Sequence, residues 1–184
     1  YPSGTTGPPK AVMLSHQNLA WTADCAANDL AHLGTEDRML SYLPLSHIAE
    51  QMFTIHGPIT AGCTVAFAES LEKLPENLKE ITPTVMFGVP RIWEKMYAKV
   101  NAGLSQATGI KKRLATWALG VGHKVSAEKN RGGQPGGLLG LQYAIANKLI
   151  LTKVKSAMGL QHARVAVTGA APISPEILEF FAGL

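Results

Sequence analysis

Apolar positions along the chain fall into two rhythms, helical spacing and short continuous runs, and the two alternate through the first half. Ser15 precedes apolar residues at 19, 23, 26, 30 and 33, so the spacing predicts a helix that Ser15 caps and Gly34 closes. Just before it, the apolar run 11–14 reads as strand-like. Further strand-like runs follow at 39–43, 64–67 and 84–88, and the intervals between them suit helices over 48–61, kinked at Gly57-Pro58, and over 75–81. This alternation predicts a layered α/β fold with a partly parallel sheet, in which ligands gather beyond the carboxyl ends of the strands.

After Pro90 the pattern turns helical without a break, over 91–104, 110–128 and 141–158, with a connection at 130–140 that holds five glycines. The run 164–169 returns to strand, and Ser174-Pro175 then supplies an N-cap and a first-turn proline for a closing helix over 176–181. There is no internal repeat. A chain of 184 residues is long enough for one domain with a core, and 46% hydrophobic against 16% charged residues excludes the disordered class. Cys25 and Cys63 lie in apolar contexts with no CxxC and no histidine at zinc spacing, so they read as reduced, buried thiols in a reducing compartment. No apolar stretch reaches the length of a membrane span, and no signal-peptide layout is visible.

Charge changes this picture in one place. The net +4 conceals a segment from Lys111 to Arg164 with ten lysines and arginines against one acid, Glu128. Within it Ile110, Leu114, Trp117, Val121 and Val125 make an apolar stripe, with Lys111, Lys112, Arg113, His123 and Lys124 off it. A helix of this kind over 110–125 suits either a peripheral contact with an anionic membrane or plain core packing, and core packing is the simpler account. Nucleic acid is not among the expected partners.

The chemistry concentrates at the start. In "SGTTGPPK", residues 3–10, glycines let the backbone approach closely and offer N–H groups to an anion, Ser3, Thr5 and Thr6 add hydroxyls, and Lys10 adds a full positive charge. The set describes a polyphosphate cradle. It is not a Walker loop, because Gly4 and Gly7 stand too close together and Lys10 leads into an apolar run rather than a helix.

The loop resembles the signature of the adenylate-forming (AMP-binding) superfamily, Tyr-Thr-Ser-Gly-Thr-Thr-Gly-x-Pro-Lys-Gly, and departs from it at Pro2 and Ala11. Pro2 removes a backbone donor and a hydroxyl, which weakens the expected nucleotide affinity. Three further stretches resemble the family, and more narrowly the bubblegum-type branch of its long-chain acyl-CoA synthetases: "YLPLSHIAEQM" (42–52), "PTVMFGVPRIWEK" (83–95) and "GAAPISPEILEFF" (169–181). The resemblance implies phosphate contacts from Ser3, Gly4, Thr5, Thr6, Gly7 and Lys10, with Lys10 also catalytic, a catalytic His47, and substrate binding by His47 and Glu50 together. It implies room for adenine and the acyl chain at Gly169, Ala170, Ala171 and Pro172. Blander readings stand next to these: a hydrogen-bonded structural histidine, an Arg91 that pairs with an acid, and a small-residue turn between strand and helix.

The resemblance implies ATP-dependent activation of a long-chain fatty acid with magnesium and coenzyme A. The carboxylate attacks the α-phosphate to give acyl-adenylate and pyrophosphate, and the coenzyme A thiol then displaces AMP. It identifies 1–184 as a partial AMP-binding domain with a helical insertion about 91–160. The C-terminal lid and the adenine, ribose and hinge blocks are expected beyond Leu184, so these residues alone should not turn over. Three alternatives remain: an adenylation enzyme that loads a carrier protein, a non-catalytic relative that binds nucleotide or acyl chain, and a lipid-surface binding module that rests on the basic segment alone and whose binding salt abolishes without ATP dependence. The expected location is cytoplasmic, with peripheral membrane contact.

Overall fold

The computed structural model describes residues 12–184. They form two compact units, one running up to Met86 and including His162–Ala166, the other made of Phe87–Gln161 and Val167–Leu184.

In the first unit Ser15 caps α1 (His16–Asp24) as its position predicts. Its hydroxyl accepts from the Asn18 N–H and the Asn18 side chain accepts from the Ser15 N–H, both at 3.1 Å, a reciprocal box that satisfies two helix-start donors. The helix continues as a π-helical turn, Cys25–Leu30, and ends short of Gly34. Residues 12–14, expected to be strand-like, are irregular and exposed instead, Met13 to 95%. They sit in no ladder among the described residues, and unpaired backbone is better satisfied by water than by an isolated strand.

Strand β1 (Arg38–Ser41) pairs in parallel with β2 (Thr64–Phe67), Arg38 opposite Thr64 and Ser41 opposite Phe67. Between them run α2 (Ile48–Gln51), a π-helical turn Met52–His56 and α3 (Gly57–Ala61). The kink predicted at Gly57-Pro58 takes the form of that π turn. Widening the helix accommodates a proline that cannot donate, and the Gly57 N–H reaches back to the Met52 carbonyl. A β-carbon on Gly57 would lie 2.8 Å from that oxygen, so the close approach requires glycine. Helix α4 (Leu74–Ile81) buries Leu74 and Leu78, and Met39 and Leu40 of β1 are buried in the same unit. Strand β3 (Val85–Gly88) pairs with β4 (Val165–Thr168), and both strands pass from the first unit into the second. Helices and parallel strands in alternation make this an α/β fold.

The second unit is mostly helical: α5 (Pro90–Gln106), α6 (Gly109–Asn130), α7 (Gly137–Ala146), which runs through a π turn Asn147–Leu151 into α8 (Thr152–Met158), and α9 (Pro175–Ala182). Ala118, Val121, Ala146 and Leu151 form a buried cluster with Trp117 packed against it. The apolar stripe on α6 therefore divides: Val121 and Val125 are core, and Ile110 is 83% exposed. Gly122 of α6 lies so close to the Gly183 carbonyl that any side chain would overlap it. Gly88 similarly makes room for Trp93, whose indole N–H donates to the Gly88 carbonyl at 2.9 Å. Ser174 stands at the N-cap of α9, but its side chain makes no capping bond there, unlike Ser15. Cys25 and Cys63 are free but half-buried rather than buried, and burial pushes the Cys63 thiol above its usual value.

Candidate functional site

β1 carries different chemistry at its two ends. Beyond its carboxyl end the chain turns through 42–47, and His47 occupies the N-cap position of α2. Its Nδ1 accepts from the Ala49 N–H at 3.2 Å, so the neutral ring carries its proton on Nε2. Three residues on, Glu50 is 2% exposed. One of its carboxylate oxygens accepts from the Ser41 hydroxyl at 2.5 Å, the Tyr42 N–H at 3.0 Å and the Thr54 hydroxyl at 3.0 Å. Glu50 thus ties the end of β1 to the helix that follows, and the loop bearing His47 is held at both ends. The structure gives Glu50 a positioning task that the sequence did not disclose.

Asp37 sits just ahead of the amino end of β1 and is 5% exposed. Arg164, from the other part of this unit, grips both its oxygens, one through Nε at 2.9 Å and the other through Nη2. The same guanidinium donates to the carbonyls of Ala31 at 2.7 Å and His32 at 2.9 Å. The Thr84 hydroxyl donates to Asp37 at 2.6 Å and accepts from the Arg38 N–H at 2.9 Å, and the Gly34 N–H donates to Asp37 at 3.0 Å. Arg164 above all, with Thr84 and Gly34, holds the Asp37 carboxyl down to about 2 although burial pushes the other way. This is a structural knot at the strand end away from the expected ligands.

Beyond β4 the expected loop Gly169-Ala170-Ala171-Pro172 leads irregularly to α9. Gly169 is not forced by space, because a β-carbon there would meet only the Phe87 ring at an ordinary 3.7 Å. Ala170, however, has φ of 71°, a left-handed conformation that costs a non-glycine residue about 1 kcal/mol. Replacing Ala170 with Gly is therefore expected to raise the urea midpoint by the equivalent of about 0.5 kcal/mol, the relieved strain being partly offset by the freer unfolded chain. An unchanged or lower midpoint contradicts the strain. The Thr168 hydroxyl at the strand end before this loop is buried with no hydrogen-bond partner among the described residues, a polar group the sequence reading did not single out.

Ser3, Gly4, Thr5, Thr6, Gly7 and Lys10 lie outside the described residues. Of the others, the structure brings His47 and Glu50 together in the first unit and places Gly169–Pro172 in the second. Arg91, at the start of α5, has no ion-pair partner among the described residues. Nor does any group of three or more His, Cys, Asp and Glu suited to a metal occur among them.

The chain belongs to the AMP-binding enzyme family, which matches it over residues 1–184. Within that family its similarity lies with the bubblegum-type long-chain-fatty-acid–CoA ligases. It is 41% identical over 189 residues to human long-chain-fatty-acid–CoA ligase ACSBG2 and 44% identical over 190 residues to that of Xenopus laevis. Both matches take in 100% of this chain but 28% and 25% of the relatives, so the chain spans about a quarter of their length. The adenylation domain of a carboxylate reductase from Mycobacterium chelonae matches 79% of this chain and 18% of its own, at 23% identity and a TM-score of 0.44.

Proposed function

We propose that the polypeptide containing this chain activates long-chain fatty acids to coenzyme A thioesters through an acyl-adenylate. The observation that carries the reading is the loop Ser3–Lys10 inside a chain that matches the AMP-binding family throughout. Relatives named as long-chain-fatty-acid–CoA ligases supply the substrate class. Attack of a carboxylate on the α-phosphate needs no protein nucleophile. Negative charge gathers on phosphate oxygens, and fixed N–H groups, hydroxyls and an ammonium stabilise it best where water is excluded. In this reading Lys10 and the loop hydroxyls face the phosphates of magnesium-bound ATP, the Nε2–H of His47 orients the fatty carboxylate, and Gly169–Pro172 border the nucleotide. Glu50 acts through the loop it braces.

Coenzyme A as acceptor separates this reading from one in which the acyl group passes to a carrier protein. Supplied with palmitate, ATP and coenzyme A, the whole native polypeptide should yield palmitoyl-CoA by mass spectrometry. Accumulation of palmitoyl-adenylate without thioester would transfer the assignment to a carrier-loading enzyme. Pro2 is the one feature that favours a non-catalytic relative, and full turnover with Pro2 in place removes that case.

The same reading places the protein in the cytoplasm and in peripheral contact with membranes, where its substrate partitions. No helix among the described residues is long and apolar enough to cross a bilayer. Because Val121 and Val125 are core, any contact through 110–125 falls to the first turns of α6, where Ile110 is exposed beside Lys111, Lys112 and Arg113. Changing those three cations to Ala should lower cosedimentation of the whole polypeptide with anionic vesicles about tenfold, at about 1 kcal/mol per charge in part screened by salt. Unchanged cosedimentation contradicts the contact.

A further inference from the structure

The second unit holds a groove that none of the residues assigned above lines. It lies along one side of α5 and α8 and has a volume of about 400 Å³. Leu104, Ile150, Val154 and Met158 make its walls apolar, and Lys99 and Lys153 stand exposed at its edge. Neither lysine has an ion-pair or hydrogen-bond partner among the described residues. The size suits a small-molecule site, and apolar walls beneath unpaired cations select a particular chemistry. A neutral apolar ligand would leave both ammonium groups unanswered. A cation would be repelled, and a compact anion would leave the walls wet. An alkyl chain ending in an anion satisfies both features at once.

We propose that this groove is a second, non-reacting site for a long-chain carboxylate, with the chain along Leu104, Ile150, Val154 and Met158 and the head group between Lys99 and Lys153. The choice of a carboxylate rests on the fatty-acid reading above, which makes it the amphiphile this protein meets. The binding chemistry itself rests on the groove.

The test titrates the whole native polypeptide with the fluorescent fatty acid cis-parinarate and follows palmitate-dependent ATP–pyrophosphate exchange in parallel. The exposed Ala157 on the groove wall is changed to Trp to fill it, and in a separate variant Lys99→Gln is combined with Lys153→Gln. Wild type should bind one more equivalent of parinarate than the Ala157→Trp variant. The double lysine variant should bind that equivalent about tenfold more weakly, the loss of roughly one charge-assisted contact. Exchange should stay within about twofold of wild type in both, as for surface changes remote from the reacting groups. Equal parinarate uptake in all three proteins would overturn the site and leave the ligase reading standing. Loss of exchange together with the extra equivalent in Ala157→Trp would make the groove the reacting chain's own channel and overturn the second site. Absence of exchange in wild type with the Trp-sensitive equivalent intact would remove the ligase reading and retain the groove.

Discussion

Arg164→Ala should destabilise the fold by about 3 kcal/mol, because it strips the partner from a buried carboxylate. Asp37 would keep the Thr84 hydroxyl and the Gly34 N–H, but the two-pronged guanidinium and its bonds to the carbonyls of Ala31 and His32 would be gone. Arg164→Lys keeps the charge and loses the fork, so about half the loss should remain. The same knot sets an acid dependence. Asp37 titrates at about 2 in the folded chain, below its unfolded value near 3.9, so the stability it contributes is complete above about pH 4 and disappears as the pH falls towards 2. Urea midpoints from pH 5 to pH 2 should fall steeply in the wild type and more gently in Arg164→Ala, whose Asp37 titrates closer to the unfolded value. Parallel curves for the two proteins would show that Arg164 does not set the Asp37 value.

Glu50→Ala is the second large effect. It leaves the hydroxyls of Ser41 and Thr54 and the N–H of Tyr42 without their common acceptor, and should cost about 2 to 3 kcal/mol. Glu50→Gln retains an acceptor of the same shape and should recover most of that loss. The pair also separates two roles for the residue. If Glu50 acts by bracing the loop that presents His47, Glu50→Gln keeps kcat/KM for palmitate within about fivefold of wild type, in step with its stability. A fall of about a hundredfold in Glu50→Gln with its urea midpoint unchanged would instead place the carboxylate in contact with substrate.

The alternation of elements was legible in the sequence because its signals are local. The Ser15 cap, the Gly57-Pro58 pair and the long helical period after Pro90 each act within a few residues, and each appears in the fold at or near its expected place. The failures have physical causes. Residues 12–14 are apolar but have no strand to pair with. The α6 stripe looked continuous in sequence, yet the neighbouring helices bury only its later turns, so exposure could not be read from spacing. Asp37 and Arg164 are separated by 127 positions, and no pattern within either segment announces the pair. The His47 segment was singled out by its motif, but the internal task of Glu50 shows only once three donors converge on one oxygen. The strained φ of Ala170 was likewise invisible in a run of small residues.

The central claim is formation of an acyl-adenylate on the loop that contains Lys10, and palmitate-dependent ATP–pyrophosphate exchange by the whole native polypeptide tests it most directly. The account predicts exchange that requires palmitate and falls by about two to three orders of magnitude in Lys10→Met, the usual consequence of removing one group that stabilises transition-state charge. Exchange that persists undiminished in Lys10→Met, or a folded wild-type polypeptide that shows none, would contradict it.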